Sequence, residues 1–280
     1  MKKISILGCG WLGLPLAKAL LENKHQINGS TTTHEKLITL ENAGIQPFLI
    51  DVPVNLNEDS LDAKKFSTTM HHFLAGSETL IIDIPPQLRA YSDTFAANTF
   101  VKKIAILIPF IERSTIENVL FVSSTSIFGE GQKTVTATSF PSPDTESGKQ
   151  LLESEQLLQS NKNFKTTAIR FGGLIGANRQ PAKFLAGKEN LANPDAPVNL
   201  IHQQDCIGII LKIIATNCWD ETFNAVTSFH PTREQYYTQK AAELNLALPK
   251  FDHSKPSIGK IIENDKVVQL LKYTFAQPNL

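Results

Sequence analysis

The sequence predicts a doubly wound α/β protein, a parallel sheet covered by helices, with a smaller C-terminal lobe. Three observations lead there. Short apolar runs alternate with longer segments of mixed polar and apolar periodicity, the pattern of buried parallel strands joined by helical crossovers. The first run passes straight into a glycine-rich turn and a helical segment, "ISILGCGWLGLPLAKALLE" from Ile4 to Glu22. After Phe171 the texture changes to a stretch rich in Gly, Pro and Asn, which reads as an excursion rather than core. The length, 280 residues, gives room for one large domain or for a core with a smaller lobe.

Taken in order, the expected strands are Ile4–Leu7, Gln26–Thr31, Ile45–Asp51, Thr79–Ile84, Val119–Ser123 and Thr167–Phe171. Gly13–Glu22 and Gly148–Gln159 read as helices between them. Lys102–Glu112 has strand-like composition, but its length and its place between two strands favour a helix disturbed at Pro109. Val198–Ile201 and Cys206–Ala215 read as one more strand and helix, and the tail from Pro231 as mostly helical, broken at Pro249, Pro256 and Pro278. The expected organisation is a core over 1–171, with 198–226 returning to it, and a substrate lobe from 172–197 and 227–280.

Composition narrows the partners. Basic and acidic residues balance at 27 each without a run of one sign, which argues against a nucleic-acid or membrane surface. Three scattered cysteines, Cys9, Cys206 and Cys218, suit neither a disulfide framework nor a zinc site, so no metal is expected. The apolar run at the N-terminus breaks at Gly8, too early for a secretory signal, and no stretch has the length of a membrane span. The expectation is a cytoplasmic protein acting on a small molecule.

The turn "GCGWLG" carries the most chemistry. Gly8 permits a tight turn after the strand, Gly10 lets backbone approach a pyrophosphate, and Gly13 lets the helix pack close. Trp11 and Leu12 complete the loop, and the helix N-terminus behind it favours an anion. The expected ligand is a dinucleotide. An NAD site would carry an acidic residue about twenty positions later, on the ribose hydroxyls. Here the second strand ends in Ser30, Thr31, Thr32, Thr33 and His34, with Lys36 beyond. Hydroxyls and cations in place of a carboxylate favour NADP over NAD. Thr32 to Glu35 are also suited to capping the next helix. Asp51 and Asp83 stand at the C-terminal edges of the third and fourth strands, where ligands bind in open α/β sheets. A turn or helix-cap role suits Asp83 equally well.

With the glycine loop in place, "VSSTSIFGEG" (Val122–Gly131) resembles the VSS-x-x-VYG signature of the extended short-chain dehydrogenase/reductases, the group of nucleotide-sugar epimerases and dehydratases. "AIRFGGLIG" (Ala168–Gly176), "VNLIHQQDCIGII" (Val198–Ile210) and "TFNAV" (Thr222–Val226) are similar to later segments of that group, in the same order. The small lobe and the close of the chain look most like the atypical members labelled NAD-dependent epimerase/dehydratase or NAD(P)-binding proteins. The resemblance implies a Rossmann fold. It places Ser124 on the catalytic Ser/Thr position, with Thr125 beside it toward the substrate. It reads "GKIIENDKVVQLLKYTFAQP" as a helix bringing Asn264 and Lys266 near the pocket. Helices on this fold often pair, so a homodimer is a partner to consider.

The group's mechanism pairs a tyrosine with a lysine four residues on, and a glutamate follows the lysine in the same helix. In "PDTESGKQLLESE" (Pro143–Glu155) the matching lysine is Lys149 and the glutamate Glu153, but Thr145 holds the tyrosine's place. A phenol can be pulled toward neutrality by an adjacent cation; a threonine hydroxyl cannot. Tyr91, after the fourth strand, is a candidate substitute acid, and Glu146 another. Lys149 would still hold the cofactor ribose. Arg179, in the Gly/Asn-rich excursion, suits an anionic substrate. His202, Asp205 and Arg170 read as packing and capping residues. The sequence therefore points to an NAD(P)-binding oxidoreductase or epimerase-like protein, acting on a sugar-like or carbonyl compound with a non-standard proton donor. The alternative is a catalytically inactive NADP(H)-binding sensor or scaffold.

Overall fold

The computed structural model describes residues 1–57, 59–86 and 98–279. Tyr91 lies outside the described residues. The chain begins with β1 (Lys3–Leu7), α1 (Gly13–Glu22), β2 (Gln26–Thr31), α2 (Leu37–Asn42), β3 (Gln46–Leu49), α3 (Leu61–Leu74) and β4 (Thr79–Ile82). Next come α4 (Thr99–Glu112), β5 (Asn118–Ser124), β6 (Thr134–Val135), α5 (Glu146–Gln159), β7 (Lys165–Phe171), β8 (Gly173–Ile175) and α6 (Ala182–Leu185). It closes with β9 (Leu200–His202), α7 (Gln203–Thr216), β10 (Thr222–Ala225), α8 (Arg233–Glu243), β11 (Ile261–Ile262) and α9 (Asp265–Gln269).

Seven strands form one parallel sheet flanked by helices, in the order β10-β7-β5-β4-β1-β2-β3. Strand order reverses between β1 and β4, which opens a crevice at their C-terminal edges. Register fixes that edge: Leu7 of β1 stands opposite Ile82 of β4, and Ile6 opposite Gly29 of β2. The doubly wound sheet expected from the sequence is the sheet observed.

The chain divides into two compact units. The first comprises Met1–Ser124, Glu146–Ile169 and Ile213–Thr222. Its core is built from strand residues with no exposure, such as Ile4, Ile6, Leu80 to Ile82 and Val119 to Phe121. Leu16 and Leu20 of α1, Phe73 of α3 and Ile104 and Leu107 of α4 belong to the same buried set. A carbonyl at the end of α3, Phe73 O, is satisfied by Ser5 Oγ and Asn28 Nδ2, each at 2.6 Å. Buried backbone at a helix end needs such partners. Helix α4 runs through Pro109 to Glu112, so the apolar segment that read ambiguously is helical throughout.

The second unit comprises Thr125–Thr145, Arg170–Lys212 and Phe223–Leu280. Two small parallel pairs, β6 with β11 and β8 with β9, give it its only ladders among the described residues outside the main sheet. Thr232 caps α8 in a capping box with Gln235. Asp205 is buried and accepts from Tyr273 Oη at 2.9 Å and from the Ala276 amide at 2.6 Å, so it holds the tail in place. Arg170 stands over the Phe128 ring at 5.4 Å and donates to Ala137 O at 3.2 Å, and His202 Nδ1 accepts from the Gln204 amide.

The tail departs from expectation. It is mostly not helical: between α8 and α9 the only regular element is the two-residue β11. Its backbone is satisfied by distant partners instead, as where Asn199 donates to Lys260 O and accepts from the Ile262 amide. The segment expected as one helix around Asn264 and Lys266 is a strand followed by the five residues of α9. Asn264 is buried and donates to Val226 O at 2.8 Å, an anchoring role.

A glycine-loop cleft as the candidate functional site

The loop from Gly8 to Gly13 is shaped by close approach. Gly8 has φ +107°, and a Cβ there would lie 2.3 Å from Asp83 O. A Cβ on Gly13 would lie 2.2 Å from Gly8 O. Each position therefore excludes every side chain, Gly8 by conformation as well. Gly10 differs: nothing lies within 4 Å of where its Cβ would be, so the loop backbone faces open space there. Hydrogen bonds lock the turn. Gly8 N donates to Ser30 Oγ at 2.9 Å, Cys9 N to Ser30 O at 2.7 Å, and Leu14 N to Gly10 O at 3.2 Å. Leu12 and Gly13 are buried, and Trp11 is partly exposed beside them.

A cavity of about 250 Å³ opens over this loop. Gly8, Cys9 and Gly10 line one side, and Thr31, Thr32, Thr33 and Lys36 the end of β2. Asp51 follows β3, Asp83 follows β4, and Lys103 enters from α4. The cavity thus brings together most of the residues singled out from the glycine loop and the strand edges. Lys103 is an addition. It makes a 3.6 Å ion pair with Asp51, and no motif in the sequence singled it out. Thr33 precedes the short 3-10 turn His34–Lys36, yet its side chain makes no capping bond, so the capping reading of this stretch is not the one realised.

The Asp83 carboxyl lies beside Gly13, at the first turn of α1. The residue keeps some exposure, but its carboxyl is packed against the loop, with Oδ2 3.1 Å from the Gly13 Cβ position. Burial pushes its pKa up to about 8, against the pull of the Gly13 amide. Of its two readings, cavity lining is the one observed. Cys9 is buried, and burial, then the neighbouring Asp83, pushes its thiol up to about 12.

The segment matched to the proton-transfer machinery is arranged differently from its sequence reading. Ser123 and Ser124 alternate across the end of β5. Ser123 is buried and bonds to the carboxylate of Glu155; Ser124 is partly exposed. The buried glutamate of α5 is thus Glu155, with no exposure, whereas Glu153 is exposed. Lys149 is exposed as well, and Thr145 lies exposed just ahead of the helix. Glu146 accepts from Gln150 Nε2 at 2.8 Å, and the fully buried Gln150 in turn accepts from the Phe100 amide at 2.9 Å. Thr125 is buried in the turn that follows β5. Arg179 belongs to another cavity, of about 330 Å³, lined also by Gln180, His202, Tyr236 and Lys240 within the second unit. Among the described residues, no group of three or more His, Cys, Asp or Glu could hold a metal ion, and no helix is long and apolar enough to cross a membrane.

Sheet order, glycine loop and crevice together give the chain the fold of the extended short-chain dehydrogenase/reductases, the group its motifs resemble. The superposition is close with the UDP-glucose 4-epimerase of Thermotoga maritima, solved with UDP-glucose: TM-score 0.78 at 16% identity, over 98% of this chain and 94% of that one. It is similar with a short-chain dehydrogenase/reductase superfamily protein of Agrobacterium tumefaciens with bound NAD: TM-score 0.75 at 15% identity, over 98% of this chain and 92% of that one. No protein-family model matches the chain. A curated relative does: Protein YeeZ of Escherichia coli K12 is 32% identical over 284 residues, which span all of this chain and 97% of the relative. The chain belongs to the family of Protein YeeZ.

Proposed function

We propose that the chain binds a nicotinamide dinucleotide along the glycine loop and acts as an oxidoreductase or epimerase-like protein on a small sugar-like or carbonyl compound. The observation that carries this reading is Gly10. It is the one loop glycine with open space where its Cβ would be, while Gly8 and Gly13 are pressed against neighbouring backbone. That is a cradle kept clear for a ligand, at the site where diphosphates bind in this fold. The bound cofactor would supply the hydride chemistry. The chain's own part would be to hold the diphosphate over the loop and the adenosine end between Thr32, Thr33, Lys36 and Asp51. With Lys36 and Lys103 on that cavity and no carboxylate at the end of β2, NADP is the favoured form. Ser124 would orient a substrate oxygen. The sugar nucleotide and the NAD held by the two compared structures support this class of ligand.

A second reading is favoured by Glu155. In the family pattern a glutamate follows the lysine by four residues and serves the structure. If the buried Glu155 is that glutamate, Leu151 takes the lysine's place and Ser147 the tyrosine's. Leu151 is buried with 4% exposure and can neither hold a ribose nor polarise an acid. On this frame Lys149 is a surface lysine, and the protein is a dinucleotide-binding sensor, or an enzyme that takes its proton from elsewhere.

Titration with NADPH and NADH, followed by nicotinamide fluorescence, tests the shared claim. Gly10→Leu should leave the melting temperature unchanged and abolish binding. Binding unaffected by that side chain would remove the loop as the site. Turnover of a carbonyl or nucleotide-sugar substrate by the wild type, lost in Ser124→Ala, would decide for the enzyme.

A further inference from the structure

Asp83 stands where an anionic ligand should find no carboxylate. Its amide donates to Leu7 O at 2.8 Å, which extends the β1–β4 pairing by one residue and fixes the side chain over the glycine loop. The carboxyl packs beside Gly13, and the residue lines the same cavity as Gly8 and Gly10. Gly13 opens α1, a ten-residue helix whose N-terminus carries a partial positive charge. A diphosphate seated on the loop would place its oxygens against this carboxyl. An ionised Asp83 would repel it, whereas a protonated one would present an O–H donor to a phosphate oxygen.

We propose that Asp83 binds the dinucleotide as a neutral carboxylic acid, donating its proton to a diphosphate oxygen, so that its ionisation releases the ligand at alkaline pH. This inference rests on the dinucleotide reading given above. The raised pKa of the buried carboxyl, about 8, agrees with it. The other ionisable groups on the cavity are Cys9 from the loop, Lys36 after β2, Asp51 after β3 and Lys103 from α4. Cys9 stays neutral through the relevant range, with its thiol pushed up to about 12. Asp51 is engaged by Lys103. The remaining cation, Lys36, would attract a phosphate rather than expel it. Of the carboxyl groups on this wall, only Asp83 touches the glycine loop. If the bound form requires its proton, affinity is constant below about pH 8 and falls roughly tenfold per pH unit above it.

The experiment measures the dissociation constant of NADH and of NADPH from pH 6.5 to 9.5, for the wild type and for Asp83→Asn. An asparagine amide can donate to the same oxygen but has no proton to lose. The wild type should show the tenfold-per-unit decline above pH 8, and the variant should change less than about twofold across the range. A flat wild-type profile, or a variant that declines as steeply, overturns the role of Asp83 and leaves dinucleotide binding intact. A folded wild type that binds neither cofactor at any pH overturns the dinucleotide reading and this inference with it. Should the variant fail to fold, carbon-13 NMR of the wild-type aspartates gives the same decision. A carboxyl titrating near pH 8 that moves higher with NADH supports the proposal, and the absence of any carboxyl protonated at pH 7 contradicts it.

Discussion

Gly8 and Gly13 sit where neighbouring backbone leaves no room for a Cβ, whereas Lys149 sits on a face of α5 that would accept almost any side chain. Both regions belong to the same compact unit, and both were read from short motifs. They differ in what constrains them. In the loop each glycine answers a distance of 2.2 or 2.3 Å to a particular oxygen, so the spacing of the motif is tied to geometry. In the helix a lysine can be slid by two positions against a pattern without any clash. A motif made of steric necessity fixes its own alignment; a motif made of one charged residue on an exposed surface does not.

The comparison can be broken at several points. The largest effect is expected for Gly8→Ala, which combines a left-handed backbone with a Cβ 2.3 Å from Asp83 O. Denaturant unfolding should show a loss of about 2–4 kcal/mol, together with loss of dinucleotide binding. Next is the pair of glutamates in α5. Glu155→Ala strands the buried Ser123 hydroxyl and should cost about 2–3 kcal/mol, while Glu153→Ala stays within about 0.5 kcal/mol. Equal effects would remove Glu155 as the anchor of the helix frame.

Asp83→Asn sharpens the loop side. The carboxyl titrates near 3.8 when unfolded and near 8 when folded, so the native state binds the extra proton between these values. Stability contributed by the protonated carboxyl is complete below about pH 4 and is lost progressively as pH rises to about 8. The variant should therefore melt higher than wild type at pH 8 and show no advantage near pH 4. The reverse order would mean that the ionised carboxylate is stabilised by its surroundings. The smallest effect belongs to Lys149→Ala: within about 0.5 kcal/mol in stability, and within about twofold in NADPH affinity. A tenfold loss of affinity would restore Lys149 to the cofactor ribose.

Much of the sheet was legible because fully buried parallel strands are written as continuous apolar runs. Ile4–Leu7 and Thr79–Ile82 are examples, and the order of motifs carried the topology. The tail from Pro231 was misread because scattered apolar residues near α8 and α9 imitate helical periodicity. The intervening backbone, broken by Pro249 and Pro256, is held by side chains such as Asn193 and Asn199, whose partners lie about sixty residues away. No local pattern announces that. The buried face of α5 was legible in the sequence. Gly148, Leu151, Glu155 and Leu158 recur at helical spacing, so periodicity alone puts Glu155 on the buried face and Glu153 off it. Lys103 was hidden because a helical reading of its segment does not say which face meets the cavity, which depends on how α4 packs on the sheet.

The measurement that tests the central claim most directly is a fluorescence titration of NADPH and NADH against wild type, Gly10→Leu and Lys149→Ala, with thermal melts in parallel. The account predicts that the wild type binds, that Gly10→Leu melts like the wild type yet binds neither cofactor, and that Lys149→Ala binds as the wild type does. A well-folded wild type that binds neither cofactor, or a Gly10→Leu protein that binds unchanged, would contradict it.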